Sequence, residues 1–300
     1  RILVTSGASG GLVLLASLLL DAGDELLITD PGYPCNEVFA KLVGGVPIKL
    51  PVSAESRFQP TLADIQNAWG DKTKGVLLAS PANPTGTMLD AGELIAIQSF
   101  VTAKGGFFIL DEIYQNLTRD HVSYTSGLSL CSDIYVLNSF SKFFGMTGWR
   151  LGWLVVPETA VAALTKLAQN LFISPSTPAQ YAAISAFNTD AMSIHKQRRG
   201  VFEDRAKILA EGLLELGFRI PVMPDGAFYL YVDISHTKMD SADFCWRLIE
   251  EYKVAATPGY DFGDSNAGQY VRFAYTTSEE SILLGLERIG TALKDWGLQA

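Results

Sequence analysis

Short apolar runs alternate with helix-period segments through the first half of the chain. Ile2-Leu3-Val4-Thr5 predicts a strand, followed by a glycine-rich turn and a helix over residues 11–20. Apolar runs at 26–29, 46–50, 76–79, 107–110 and 135–137 continue the series, with helical patterns between them. Strands that are apolar without alternation belong to a parallel sheet covered by helices on both faces. Residues 157–217 read as long helices, and Phe228-Tyr229-Leu230-Tyr231-Val232 and Tyr270-Val271-Arg272-Phe273-Ala274 as strands in a helix-rich setting. Thr277-Ser278-Glu279-Glu280 fits a capping box. Behind it Ile282, Leu286, Ile289, Leu293 and Trp296 recur at helical spacing, so the last helix has one buried face. The pattern predicts an α/β fold: a three-layer α/β/α, mainly parallel sheet over 1–205 and a smaller α+β domain over 206–300. No linker composition marks the boundary.

The polar clusters fall where the strands end. Ser6 to Gly11, Asp30 to Pro34, Ser80 to Gly86, Asp111 to Tyr114 and Ser139 to Lys142 each follow an apolar run. With right-handed crossovers these loops share one sheet edge, and five of them make a pocket rim.

Composition narrows the function. The net charge of -9 and the lack of any Lys/Arg-rich run argue against a nucleic-acid surface. Cys35, Cys131 and Cys245 lie far apart with no CxxC pair, so neither a disulfide framework nor a zinc site is expected, and no metal. This usage fits a reducing, cytoplasmic setting. The apolar run 12–20 is too short to span a bilayer and contains Ser17, so no membrane partner is expected. The chain starts at Arg1, without methionine, directly in a strand-like segment, and reads as a fragment.

Four segments carry candidate chemistry. Ser6-Gly7-Ala8-Ser9-Gly10-Gly11 joins a strand to a helix start, where free N–H groups and the helix dipole favour an anion; small residues also make ordinary tight turns there. The spacing matches neither a dinucleotide fingerprint nor a P-loop. Ser80-Pro81-Ala82-Asn83-Pro84-Thr85-Gly86 is a loop in which the prolines hold Asn83, either to present its amide to a ligand or simply to turn. Asp111 ends an apolar strand, where a carboxylate needs a cation or a helix to cap. Lys142, among apolar and small residues, is a candidate for a desolvated amine or an exposed loop lysine, and Ser139, Ser141 and Arg150 around it could hold a phosphate. The three histidines fall in none of these segments and read as structural or exposed. Tyr181, Phe143 and Phe144 read as core, and Trp149 as packing.

Asn83-Pro84 with Gly86, Asp111 with Tyr114, Ser139 with Ser141-Lys142, and Gly148 with Arg150 and Gly152, in this order, resemble the class I/II aminotransferases of pyridoxal-phosphate fold type I. Gly226-Ala227-Phe228-Tyr229, Thr257-Pro258-Gly259 with Phe262-Gly263, and Val271-Arg272-Phe273 agree. The resemblance covers nearly the whole chain. It implies an aspartate-aminotransferase-like fold and pyridoxal 5′-phosphate as cofactor. Lys142 would bond covalently to it and carry a proton. Asp111 would pair with the pyridinium nitrogen, and Asn83 and Tyr114 would bond the 3′ oxygen. Tyr33 would stack on the ring. Ala8, Ser9, Ser139, Ser141 and Arg150 would hold the phosphate, and Arg272 would clamp the substrate α-carboxylate. It further implies amino acid and 2-oxo acid substrates, a homodimer, and an N-terminal segment of the family that this sequence does not contain. A carbon–sulfur lyase or similar fold type I enzyme, and the aminotransferase-like sensor domain of a transcription regulator, share the same residues.

Overall fold

The computed structural model describes residues 1–298. The chain runs β1 (Ile2–Thr5), α1 (Gly7–Leu19), β2 (Glu25–Asp30), α2 (Cys35–Leu42), β3 (Val46–Pro51), α3 (Leu62–Ala68), β4 (Thr73–Ala79), α4 (Ala91–Ala103), β5 (Phe107–Asp111), α5 (Gly127–Leu130), β6 (Tyr135–Ser139) and β7 (Gly152–Val155). It continues through α6 (Glu158–Phe172), α7 (Thr177–Ser185), α8 (Thr189–Glu215), β8 (Tyr229–Asp233), α9 (Ser241–Tyr252), β9 (Thr257–Pro258), β10 (Tyr270–Ala274) and α10 (Glu279–Asp295).

The first seven strands form one sheet in the order β1-β7-β6-β5-β4-β2-β3. All are parallel except β7, which runs against both β6 and β1. Successive residues of the central strands serve opposite faces. Leu77, Ile109 and Leu137 pack with Leu14, Leu15 and Leu164 of α1 and α6. Val76, Leu78, Phe108, Leu110 and Val136 pack with Ile65, Leu94, Ile97 and Val101 of α3 and α4. Both faces are therefore dry, which is why these strands are apolar throughout. Each such side chain contributes about 1.5–3 kcal/mol by leaving water.

A second sheet, β8-β10-β9, is antiparallel and packs with α9, α10 and the C-terminal half of α8. The boundary expected at residue 205 falls inside α8. His195, near its start, packs on Phe143 and Phe144, whereas Ala206, Leu209 and Leu213 join the core of the small sheet.

Several expectations need correction. Helix α1 starts at Gly7, not Gly11, so the small residues are its first turn rather than a turn before it. The strand expected from Phe228 starts at Tyr229. The short strands β7 and β9 were not anticipated. The cap of α10 is Ser278, whose hydroxyl accepts the Ser281 N–H at 3.2 Å, so Glu280 does not close a capping box. Phe143 and Phe144 are buried as expected, but Tyr181 is 71% and Trp149 49% exposed.

The two sheets meet tightly at one loop. Asp225 and Gly226 both donate their N–H groups to the Gly86 carbonyl, at 2.9 and 3.0 Å. Arg57 holds the Asp225 carboxylate at 2.8 Å, and Asp225 accepts the Met88 N–H at 2.9 Å. Gly86 has φ +69°, and a Cβ there would collide with Pro224 and stand 2.6 Å from the Gly226 oxygen. Gly86→Ala is expected to destabilise the protein by about 2–3 kcal/mol in denaturant melts. A loss below about 0.5 kcal/mol would show that the loop yields.

Candidate active site

The parallel strands place their C-terminal ends along one edge. Because β7 runs backwards, Arg150, two residues before its start, arrives at that same edge. A cavity of about 270 Å³ opens there, and all eleven candidate residues line it: Ala8, Ser9, Tyr33, Asn83, Asp111, Tyr114, Ser139, Ser141, Lys142, Arg150 and Arg272.

At one end lies the start of α1. Among the described residues no side chain caps its first N–H groups. Arg150, in the left-handed region at φ 53°, lays its guanidinium over this helix start. A Cβ on Gly7 would stand 2.5 Å from Arg150 Nη2, so only glycine lets the cation approach so closely. Ser139 Oγ accepts the Ser141 N–H at 3.0 Å, and Arg150 Nη1 reaches Ser141 Oγ at 3.5 Å and the Thr147 carbonyl at 3.0 Å. Uncapped amides, two hydroxyls and a guanidinium around one space make an anion cradle.

In the middle of the cavity Asp111 ends β5 and is buried. Among the described residues its carboxylate has one hydrogen bond, from the Ile113 N–H at 3.0 Å. Burial pushes its pKa up to about 7, against the Ile113 bond and the Lys142 charge, which pull it down. The helix-capping role left open by the sequence is thus present only as this local turn. Lys142 is not an exposed loop lysine. Burial lowers its pKa, Arg272 and Arg150 lower it further, and Asp111 opposes them. Its Nζ sits 5.3 Å from the Tyr114 ring and 5.6 Å from that of Phe228. Near neutral pH a larger share of it is the free, nucleophilic amine. Tyr33 lines the same space, with its hydroxyl pKa raised by burial and by its hydrogen bond with Cys35.

The far end belongs to the small sheet. Arg272 of β10 donates through Nη1 to Asn83 Oδ1 at 2.8 Å and through Nη2 to Thr257 Oγ1 at 3.3 Å. An arginine only donates, so the Asn83 oxygen faces it and the Asn83 NH₂ is left for the cavity. Among the described residues the buried Arg272 Nε–H has no partner. Tyr229 and Phe262 cover the guanidinium, at 4.2 and 4.7 Å from its central carbon. Three cations thus converge in a chain of net charge -9.

Sequence reasoning named no role for Leu12, Ala79, Ile113, Thr147 or Tyr229, which also line the cavity. Tyr229 stands in a motif that was recognised, but as the first residue of an apolar strand it carries no local sign of a polar duty. Of the histidines, His195 is buried on Phe143 and Phe144, His236 packs on Phe218, and His121 is exposed beside Glu203.

A sheet of this order, with its chemistry gathered where the parallel strands end, defines the α/β transferase class called fold type I. The chain belongs to the aminotransferase class I and II family, whose model matches residues 1–289. It is 37% identical over 296 residues to a valine–pyruvate aminotransferase of Mycobacterium tuberculosis, covering 97% of this chain and 75% of that protein. It is 34% identical to a (5-formylfuran-3-yl)methyl phosphate transaminase of Methanocaldococcus jannaschii, covering 96% and 74%. The crystal structure of an aminotransferase from Mycobacterium tuberculosis superposes with a TM-score of 0.94 at 36% identity, covering 98% of this chain and 76% of that one.

Proposed function

We propose that the chain uses pyridoxal phosphate, held covalently by Lys142, to move amino groups between L-amino acids and 2-oxo acids. The observation that carries this reading is Asp111: a buried carboxylate facing a cavity, which makes no ion pair among the described residues. A protonated ring nitrogen is such a cation. The other residues fit the same group. The α1 start with Ser139, Ser141 and Arg150 suits its phosphate, Tyr33 its ring face, and the Asn83 NH₂ and Tyr114 hydroxyl its 3′ oxygen. When bound, the cofactor supplies a conjugated, protonated ring that spreads the charge left as the Cα–H bond breaks.

The protein's own contributions follow from the geometry. Arg272 takes the substrate carboxylate with its unpartnered Nε–H and adjoining edge, and so orients the Cα–H bond. Asp111 keeps a proton on the ring nitrogen. Lys142, freed from its bond, takes the proton from substrate Cα as a desolvated amine. Arg272→Leu is expected to raise KM for the amino acid about 10²-fold, because it leaves the carboxylate without its charged partner. A change in kcat alone would argue against this assignment.

The decisive experiment is a visible spectrum after addition of pyridoxal phosphate, then titration with amino acids, beginning with valine because one relative is named for it. Conversion to the aminated cofactor by one donor class is expected. A protein that takes up no cofactor, or a spectrum that no amino acid alters, overturns the proposal.

We further propose a homodimer. Tyr181, Ile184 and Phe187 expose apolar surface on and just after α7, at 57–71%, and Trp149 does so beside the Lys142 loop. Sedimentation should show twice the chain mass. A cytoplasmic setting is supported by three free cysteines, two of them buried; no helix among the described residues is long and apolar enough to cross a membrane.

A further inference from the structure

Tyr229 touches both halves of the site. Its hydroxyl lies 2.9 Å from that of Tyr114, and its ring face covers Arg272 at 4.2 Å. Both tyrosines are buried, at 6% and 3% exposure, so water is poorly placed to replace the bond between them. One hydroxyl must donate and the other accept. If Tyr114 donated, the Tyr229 proton would instead be the one left to the cavity, which Tyr229 also lines. If Tyr229 donates, the Tyr114 proton is left to point into the cavity. Burial pushes both hydroxyl pKa values up and the Arg272 charge counters it in both; because the guanidinium lies directly over the Tyr229 ring, at 4.2 Å, it makes Tyr229 the better donor and favours this second arrangement. Arg272 also meets the Phe262 ring, at 4.7 Å, so two rings bear on its guanidinium.

We propose that Tyr229 is a positioning residue that aims the Tyr114 proton into the cavity and holds Arg272 flat for a carboxylate. This rests on the function proposed above for the same site. The hydroxyl and the ring carry separable duties, and Tyr229→Phe removes only the first.

The hydroxyl duty is read from the pH titration of the cofactor's visible band in the loaded protein. A weaker Tyr114 donor stabilises the deprotonated form less, so Tyr229→Phe is expected to move the midpoint to higher pH by about 0.5 unit. Tyr114→Phe should move it further, and adding Tyr229→Phe to Tyr114→Phe should do nothing more. An unmoved midpoint in Tyr229→Phe, or shifts that simply add, overturns this half. The ring duty is read without cofactor, by calorimetry of 3-phenylpropionate binding to the apoprotein. Tyr229→Phe should bind within about twofold of the parent and Tyr229→Leu roughly tenfold more weakly. Equal binding by Tyr229→Leu overturns the second half. Should Tyr229→Leu fail to fold, the conservative variant and its double still decide the hydroxyl half. A protein that takes up no pyridoxal phosphate would sink the proposed function, while the carboxylate measurement would still stand.

Discussion

Lys142→Ala is expected to lower kcat for amino transfer by at least about 10³-fold and to change the visible band of the bound cofactor. Two losses combine. The covalent bond to the protein disappears, and so does the amine that takes the proton from Cα; general base catalysis alone is worth about 10²–10⁴-fold. The variant should still take up cofactor, because the uncapped α1 start, Ser139 and Arg150 are untouched. Added methylamine should restore part of the rate if proton transfer is the missing function. A parent-like spectrum in Lys142→Ala would remove the residue from its assigned role.

Asp111→Asn is expected to make the cofactor-free protein more stable and the enzyme slower. In the unfolded chain this carboxyl ionises near 3.8, and in the folded protein near 7, because it is fully buried. Between those values the folded protein keeps a proton that the unfolded chain releases, so stability falls as pH rises and the whole cost is present above pH 7. About three pH units corresponds to about 4 kcal/mol. Asparagine keeps the oxygen that accepts the Ile113 N–H but carries no charge. Denaturant melts of the apoprotein should therefore show a gain of about 2–4 kcal/mol at pH 8 that vanishes near pH 4. Turnover should fall about 10²–10³-fold, since the ring nitrogen loses its charged partner. Equal stability at both pH values would show that Asp111 ionises freely.

The parallel sheet was legible because burial on both faces leaves no room for polar alternation, and Val76-Leu77-Leu78 serves both helical layers at once. Its loops were legible as a rim for the same reason: parallel strands end together. Strand β7 was hidden because it has four residues, begins with glycine and runs against its neighbours. The α1 start was misplaced because glycines that read as a turn also fit a first helical turn beside Arg150. Tyr181 was read as core because an aromatic at helical spacing is as apolar on an exposed face as on a buried one. Tyr229 was missed because its partners, Tyr114 in the loop after β5 and Arg272 on β10, are far from it in sequence, and no sequence spacing encodes their meeting.

The antiparallel turn of β7 also divides labour between the two units of the chain. Lys142 and Arg150 sit on one excursion between β6 and β7, and every other residue assigned to the cofactor precedes residue 142. Of the described residues that line the cavity, Arg272 and Tyr229 come from beyond α8. On the proposed function, the cofactor contacts would all lie before β7, whereas the carboxylate contact, Arg272, lies on the small sheet. If so, mild denaturant is expected to weaken amino acid binding before it weakens cofactor uptake, which parallel titrations of the two would check.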